Sequence, residues 1–341
     1  MRRTAGTALL AAAALAATAL AGPAAADPPV LPGPDDIVGV GAQTTGPLFG
    51  QFSTDYNAFL AGGGNTTSPR LYSFDSTGSP TITPRAGAAA IPRPAGVGDG
   101  LVQLNAVPSA VDFVRVDRPR QASDPASDTF VALAKDAVTW AAKSGGNAPA
   151  NLTTVQLRAI YQCTVTNWAQ LGTGLPNATV KPYLPQAASG VRTLFLGAIG
   201  VTTPGACVTT GPADNQGVDP VLNDPNVLIP YSVGHYLGQT VYGHSTPVDA
   251  AGVLTVRAVD GIAPVNATAG TINAPLAASA YGRLLWDVVR QSDWAGTGAK
   301  GIALRAIFGP SGWICTSTTA ANDVRNYGFL RLPGAACGST A

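Results

Sequence analysis

The stretch Ile37-Val38-Gly39-Val40-Gly41-Ala42-Gln43-Thr44-Thr45-Gly46-Pro47 changes character twice within eleven residues. Ile37 to Val40 is a short run rich in β-branched residues, the composition of a buried strand. Gly41 to Thr45 is a small, polar turn. Pro47 then stands where a helix tolerates proline, in its first turn, with Thr44 or Thr45 as N-cap. Downstream, Phe49, Phe52, Tyr56 and Phe59 recur at spacings of three, four and three, which predicts one apolar helix stripe facing a core. Strand, polar turn and helix in succession indicate an α/β class whose helix starts are suited to anions.

The same order recurs along the chain. Ala110 to Val114 reads as a strand ending at Arg115, and residues 130–140 carry mixed strand and helix signals. Leu152 to Tyr161 reads as a helix with Thr153 as N-cap. The Gly-, Ser-, Thr- and Pro-rich segment from Gly62 to Arg85 reads as a surface excursion. Trp168 and Trp313 read as core residues.

Arg2 and Arg3 precede an apolar run from Ala8 to Ala21, and Ala24-Ala25-Ala26 supplies small residues before Asp27. This is the pattern of a secretory signal peptide over residues 1–26. The run is too short and Ala-rich for a bilayer span, and no later run is long enough, so no membrane span is expected in the mature chain. No Cys lies near the cleavage point, so no lipid anchor is expected, and the protein is placed outside the cell or in the cell envelope. About 315 residues remain, enough for two lobes with separate cores. Charged residues make up 11% of the chain and the net charge is +1, with no basic stripe, which argues against a nucleic-acid partner. Charge recognition must then be local, inside a cleft.

Cys163, Cys207, Cys315 and Cys337 form an even set in an oxidising compartment, which reads as two disulfides. Three pairings are open. Cys163–Cys207 with Cys315–Cys337 is favoured because each then lies within one lobe; the loops would contribute about 4 and 3 kcal/mol. No C-x-x-C pair is present and His235 and His244 lie far from the cysteines, so neither a metal nor a cofactor is expected.

Several short motifs stand in a characteristic order. They are Gly39-Val40-Gly41-Ala42-Gln43-Thr44-Thr45; Gly96-Val97-Gly98-Asp99-Gly100-Leu101; and Val111-Asp112-Phe113-Val114-Arg115-Val116-Asp117. Asn151 to Tyr161 follows, running on to Val165-Thr166-Asn167-Trp168, then Ser189-Gly190-Val191-Arg192-Thr193-Leu194-Phe195 and Val259-Asp260-Gly261-Ile262-Ala263-Pro264. In this order they resemble the phosphate-binding proteins of ABC importers. The resemblance implies a two-lobed type II periplasmic-binding fold whose discontinuous lobes are joined by crossing strands. Lobe 1 would take residues 27–133 and 237–341, and lobe 2 residues 134–236. It further implies capture of a small oxyanion, phosphate, between the lobes by a monomer that serves an ABC permease. The sequence departs from the family pattern at Pro185-Gln186-Ala187, where many members carry Arg-x-Asp, at Val191, where Thr is common, and at Val97-Gly98, where Ser-Ser is common.

An oxyanion held between lobes needs many donors and little bulk, which helix N-termini supply. The candidates are Thr44 and Thr45, the Gly98-Asp99-Gly100 turn, and Ser189-Gly190-Val191. Arg192 is the first candidate for a charged fork and Arg115 the second. Asp117 could accept a hydrogen bond from a protonated phosphate, which fully ionised sulfate cannot offer. Each feature also has a plain reading: the threonines as caps, the glycine turn as a loop, Arg192 as a solvated helix residue, and Asp117 as a strand end paired to Arg118 or Arg120. Catalysis has little support, because Ser232-Val233-Gly234-His235 is not a nucleophile elbow and no metal-hydrolase or P-loop motif is present; His235 is expected to pack beside Tyr231 and Tyr236. The alternatives are a secreted binding protein with no importer and a phosphate-ester hydrolase.

Overall fold

The computed structural model describes residues 27–341, so the expected signal peptide lies outside the described residues. The opening motif folds as read: β1 (Ile37–Gly41) leads through a 3-10 turn into α1 (Gly46–Gly62). Phe49, Phe52 and Tyr56 are buried, but Phe59 is 60% exposed. The stripe continues instead at Leu60, four residues after Tyr56, as a 3.6-residue period requires. The segment from 62 to 85, expected as a surface excursion, contains β2 (Leu71–Ser73), whose ends are buried and which pairs in parallel with β1. Its three residues are too few to stand out among the flanking turn-formers. The helix α2 (Val97–Leu104) and strand β3 (Phe113–Val116) complete this sheet edge, β3 lying parallel to β1.

The mixed signals at 130–140 resolve into one strand, β4 (Asp128–Lys143), of 16 residues. At about 3.3 Å per residue it runs roughly 50 Å, long enough to serve both lobes. Beyond it come α3 (Thr154–Tyr161), β5 (Lys181–Leu184), α4 (Gly190–Ile199), β6 (Val227–Ser232), α5 (Val233–Thr240), β7 (Gly282–Arg290), α6 (Ala299–Phe308) and α7 (Thr318–Asn326). Thr153 caps α3 as expected, within a capping box completed by Gln156. The strand order is β2-β1-β3-β7-β4-β6-β5, with Thr209–Thr210 beyond β5. The two crossing strands β4 and β7 are antiparallel, with Arg283 opposite Asp136.

Two main cores sit on either side of that crossing. The first gathers Phe49, Phe52, Phe113, Phe308 and Trp313 around β1, β3 and α6, with Phe49 and Phe113 ring centres 5.3 Å apart. The second gathers Trp140, Leu157, Tyr161, Trp168 and Phe195. This is a mixed α/β, two-lobed architecture joined by crossing strands. The second core also takes in Val259, Ile272, Leu276 and Tyr281. Its apolar packing therefore runs past residue 236, because Leu254–Val256 pairs back onto β4 before the chain leaves along β7. Among the described residues no helix is long and apolar enough to cross a membrane.

Both favoured disulfides are present, Cys163–Cys207 and Cys315–Cys337. The second ties the helix Trp313–Thr316 to the C-terminal segment, which hydrogen-bonds β4 through Ala132 N to Ser339 O (2.9 Å). Replacing Cys163 and Cys207 together by Ser is expected to cost about 4 kcal/mol, against about 3 kcal/mol for the Cys315 and Cys337 pair. Urea unfolding of both double variants under non-reducing conditions checks the size and the order.

Candidate functional site

The lobes meet where the crossing strands exchange partners. Asp136 and Arg283, cross-strand neighbours, are both fully buried there. The Arg283 guanidinium gives Nε and Nη2 to Asp136 Oδ2 (3.0 and 2.8 Å) and Nη1 to Asp117 Oδ2 (2.9 Å) and the Asp117 carbonyl (2.5 Å). A fifth contact runs from Nη2 to Thr44 Oγ1 (3.3 Å). Asp136 in turn accepts from Ser232 Oγ (2.8 Å) and from the first-turn amide of Gly234 (3.0 Å), so it sits at the positive start of α5.

Asp117, just past β3, is the point of convergence. Its Oδ2 accepts from Thr44 Oγ1 (2.6 Å) as well as Arg283. Its Oδ1 is buried and has no hydrogen-bond partner among the described residues. That oxygen faces the first turn of α4, where a Cβ added to Gly190 would stand 1.6 Å away. Only glycine lets the second lobe approach so closely. Ser189 caps α4 by accepting from Arg192 N (2.9 Å) and donates its hydroxyl to Asp214 Oδ1 (2.5 Å). Burial, with Asp117 adding its negative charge, raises the Asp214 carboxyl to about 7. Asn215 closes the ring, donating Nδ2 to Thr44 Oγ1 (3.3 Å) and accepting from Ser232 N (2.9 Å).

The sequence-derived candidates divide clearly. Thr44, Asp117, Ser189 and Gly190 come together, and the buried Val191 lies in the same first turn. Thr45 is buried at the start of α1 but makes no capping bond through its hydroxyl. The glycine turn touches the same lobe junction at Gly96, whose added Cβ would meet Ala188 O at 2.8 Å. Gly98 and Asp99 themselves face solvent, Asp99 accepting from Ala95 N (3.1 Å), and Gly100 packs against Val114. Arg115 is fully buried, with its donors directed to the carbonyls of Ala42 (3.2 Å), Gly41 (3.3 Å) and Phe74 (2.9 Å) and to Ser73 Oγ. Burial lowers it to about 10 against the opposing pull of Asp75 and Asp287; it ties three strands together. The Arg192 guanidinium turns to Pro185 O (3.0 Å) and Thr210 Oγ1 (3.1 Å), both in its own lobe. Asp117 is no surface strand end, since Arg118 pairs with Asp124 (2.7 Å) and Asp117 is inaccessible.

Arg283, Asp136, Asp214, Asn215, Ser232 and His235 join the cluster without having been singled out for it. The one local signal for Arg283 is a charge within the alternating strand Gly282-Arg283-Leu284-Leu285-Trp286. His235, expected beside Tyr231 and Tyr236, makes its polar contacts to Thr44 O (2.9 Å) and Asp249 Oδ1 (2.8 Å). A groove of about 1120 Å³ opens beside Pro47 and Asp249, between α1, residues 72–79 and residues 243–249; of the residues bonded to the cluster, Asp249 lines it. Among the described residues no cluster of three or more His, Cys, Asp or Glu is placed to hold a metal.

A family model, the PBP superfamily domain, matches residues 85–282. Similar solved structures include an ABC-type phosphate transport receptor from Vibrio cholerae, at 15% identity and a TM-score of 0.57, covering 87% of this chain and 100% of that one. A phosphate-binding protein from Stenotrophomonas maltophilia aligns at 13% identity and a TM-score of 0.54, covering 88% and 91%. A DING protein aligns at 16% identity and a TM-score of 0.51, covering 88% and 92%. At these identities the likeness is one of fold. No curated protein matches the chain significantly.

The buried Arg283 fork makes a firm expectation. Arg283→Met leaves Asp117 and Asp136 facing each other without a counter-charge and is expected to destabilise the protein by about 3–5 kcal/mol. The triple variant Arg283→Met, Asp117→Asn, Asp136→Asn should recover a large part of that loss in urea unfolding.

Proposed function

The chain belongs to the PBP superfamily, and on that premise we propose that it captures a small oxyanion, phosphate, between its lobes and delivers it to an ABC permease outside the cytoplasm. The observation that carries this reading is the buried, unpartnered Asp117 Oδ1 set against the first turn of α4. A helix start supplies amide donors for an anion, and a carboxylate beside it accepts a hydrogen bond from a protonated anion. Phosphate offers both charge and a proton at neutral pH, whereas sulfate offers charge alone. Thr44 and Ser189 add hydroxyls that rotate to suit, and Arg283 adds the positive charge that the departure at Pro185-Gln186-Ala187 removes from the second lobe. On this reading Gly98, Asp99 and Arg192 stand outside the contact shell. The lobes divide at the crossing, residues 27–134 with 283–341 against residues 135–282, and open through the groove beside Asp249.

Binding without turnover is the natural use of this constellation. Its carboxylates are held by Arg283, by α5 and by Ser189, and no activated nucleophile stands among them. The raised Asp214 adds a pH term. Its carboxyl keeps its proton up to about 7 and becomes negative above that, so an incoming anion meets one more negative charge at alkaline pH.

Calorimetry of stripped protein with phosphate and with sulfate tests the reading. Phosphate at 100 times its dissociation constant should stabilise the fold by about 2.7 kcal/mol, and sulfate should do far less; equal response to both, or to neither, overturns it. Gly190→Ala places a methyl into Asp117 and is expected to weaken phosphate binding by about 1–3 kcal/mol, whereas Arg192→Ala should change it little. Asp214→Asn should bind phosphate more tightly than the parent at pH 8 and about equally at pH 5.5.

A further inference from the structure

His235 lies in the first turn of α5, on the second lobe, and its ring is almost wholly enclosed. Its backbone amide is fixed by Ser232 Oγ (3.0 Å). The ring reaches out of the lobe at Nδ1, 2.9 Å from the carbonyl oxygen of Thr44, and stays within it at Nε2, 2.8 Å from Asp249 Oδ1. A carbonyl oxygen can only accept. Asp249 Oδ1 already accepts from Gln239 Nε2 (2.7 Å). A neutral imidazole has one N–H, so one of its two contacts would set lone pair against lone pair. Two N–H groups satisfy both partners at once.

We propose that His235 is an imidazolium across the neutral range and is the positioning residue by which the second lobe grips the Thr44 turn, so that capture at the lobe junction depends on its charge. The consequence for capture rests on the oxyanion reading above; the charge and the grip do not. Thr44 gives its hydroxyl to Asp117 and its carbonyl to His235. One residue of the first lobe is thereby held from both sides of the junction. A second tie from the same lobe, Asn215 Nδ2 to Thr44 Oγ1, is longer at 3.3 Å.

The surroundings fix the charge. Burial opposes it, but the Asp249 carboxylate and its hydrogen bond, the Thr44 carbonyl and Asp136 on β4 together raise the ring to about 9. Asp249 itself is held below its usual range: burial works against this, and His235 and Gln239 outweigh it. The other titratable groups facing the ring's neighbourhood are Asp214 and Tyr231, the latter bonded to Gln239 Oε1 (2.8 Å). The gap beside the ring, bounded by Thr44, Pro47, His244 and Tyr327, measures about 10 Å³, room for one water at most. For a group whose folded value lies above its free value of about 6.5, the contribution is complete below that pH and fades as pH rises through 9.

Two histidines in the whole chain make a direct test feasible. Long-range ¹⁵N–¹H imidazole spectra, with His244→Gln for assignment, should show both His235 nitrogens protonated from pH 6 to 8 and losing a proton only near pH 9. A neutral tautomer at pH 7 overturns the proposal. Asp249→Asn should move that titration below pH 8 and weaken phosphate binding about tenfold at pH 8 but little at pH 6. The ratio of phosphate affinities, parent to His235→Gln, should be largest near neutral pH and fall toward one at pH 10, which cancels the titration of phosphate itself. A pH-independent ratio, or an unchanged titration in Asp249→Asn, also overturns it; the Asp249 variant and the spectra decide the matter should His235→Gln not fold. Absence of any phosphate binding by the parent protein overturns the capture reading and with it the functional half of the proposal, while the spectra still judge the imidazolium.

Discussion

The rest of the structure depends on one guanidinium held between two carboxylates at the point where β4 and β7 pass from lobe to lobe. Arg283 bridges Asp136, its cross-strand neighbour, to Asp117 at the end of β3, and all three side chains are shielded from water. Taking such charges out of water costs several kcal/mol per ion, which their mutual attraction offsets only when geometry and further hydrogen bonds are both good. Here the further bonds come from Thr44, Ser232 and the amide of Gly234. The arrangement is therefore demanding, and it specifies how the crossing strands register and where the helix starts of both lobes point.

That demand shapes what the junction can hold. Asp117, Asp136 and Asp214 face Arg283 and His235 over a short distance, so three carboxyl groups share two basic side chains. On the proposed reading, a fully ionised oxyanion would have no proton to offer the Asp117 carboxylate, whereas a protonated one would donate a hydrogen bond to it. The buried Arg115 makes a useful contrast. It has an equal charge at an equal depth, yet its donors end on backbone carbonyls of Gly41, Ala42 and Phe74. It joins strands, whereas Arg283 hydrogen-bonds Asp117 and Asp136 directly.

His235 connects this electrostatic centre to the wider cleft. Through Asp249 it reaches the wall of the large groove, and through Thr44 it reaches the carboxylate at the crossing. Residues 243–249 are thus tied to the turn that precedes α1 through the imidazole.

The sequence by itself determined what local chemistry controls. The β-branched run, polar turn and aromatic stripe of residues 37–56 dictate strand, turn and helix; Thr153 and Gln156 dictate a capped helix; and an even set of four cysteines matches two bridges. Thr44, Asp117, Ser189 and Gly190 were also legible, because each sits at a strand end or helix start, where side chains and free amides face a neighbouring lobe. Only the tertiary structure decided which cation serves them. Arg192 stands next to the Ser-Gly turn in sequence, but the helix rotates its side chain toward Pro185 and Thr210. Arg283 lies 166 residues from Asp117 and 147 from Asp136, and nothing but antiparallel strand register brings them together. Local pattern sets the direction of each element, whereas a buried charge finds its partner through pairings that close long loops, and those are properties of the whole fold.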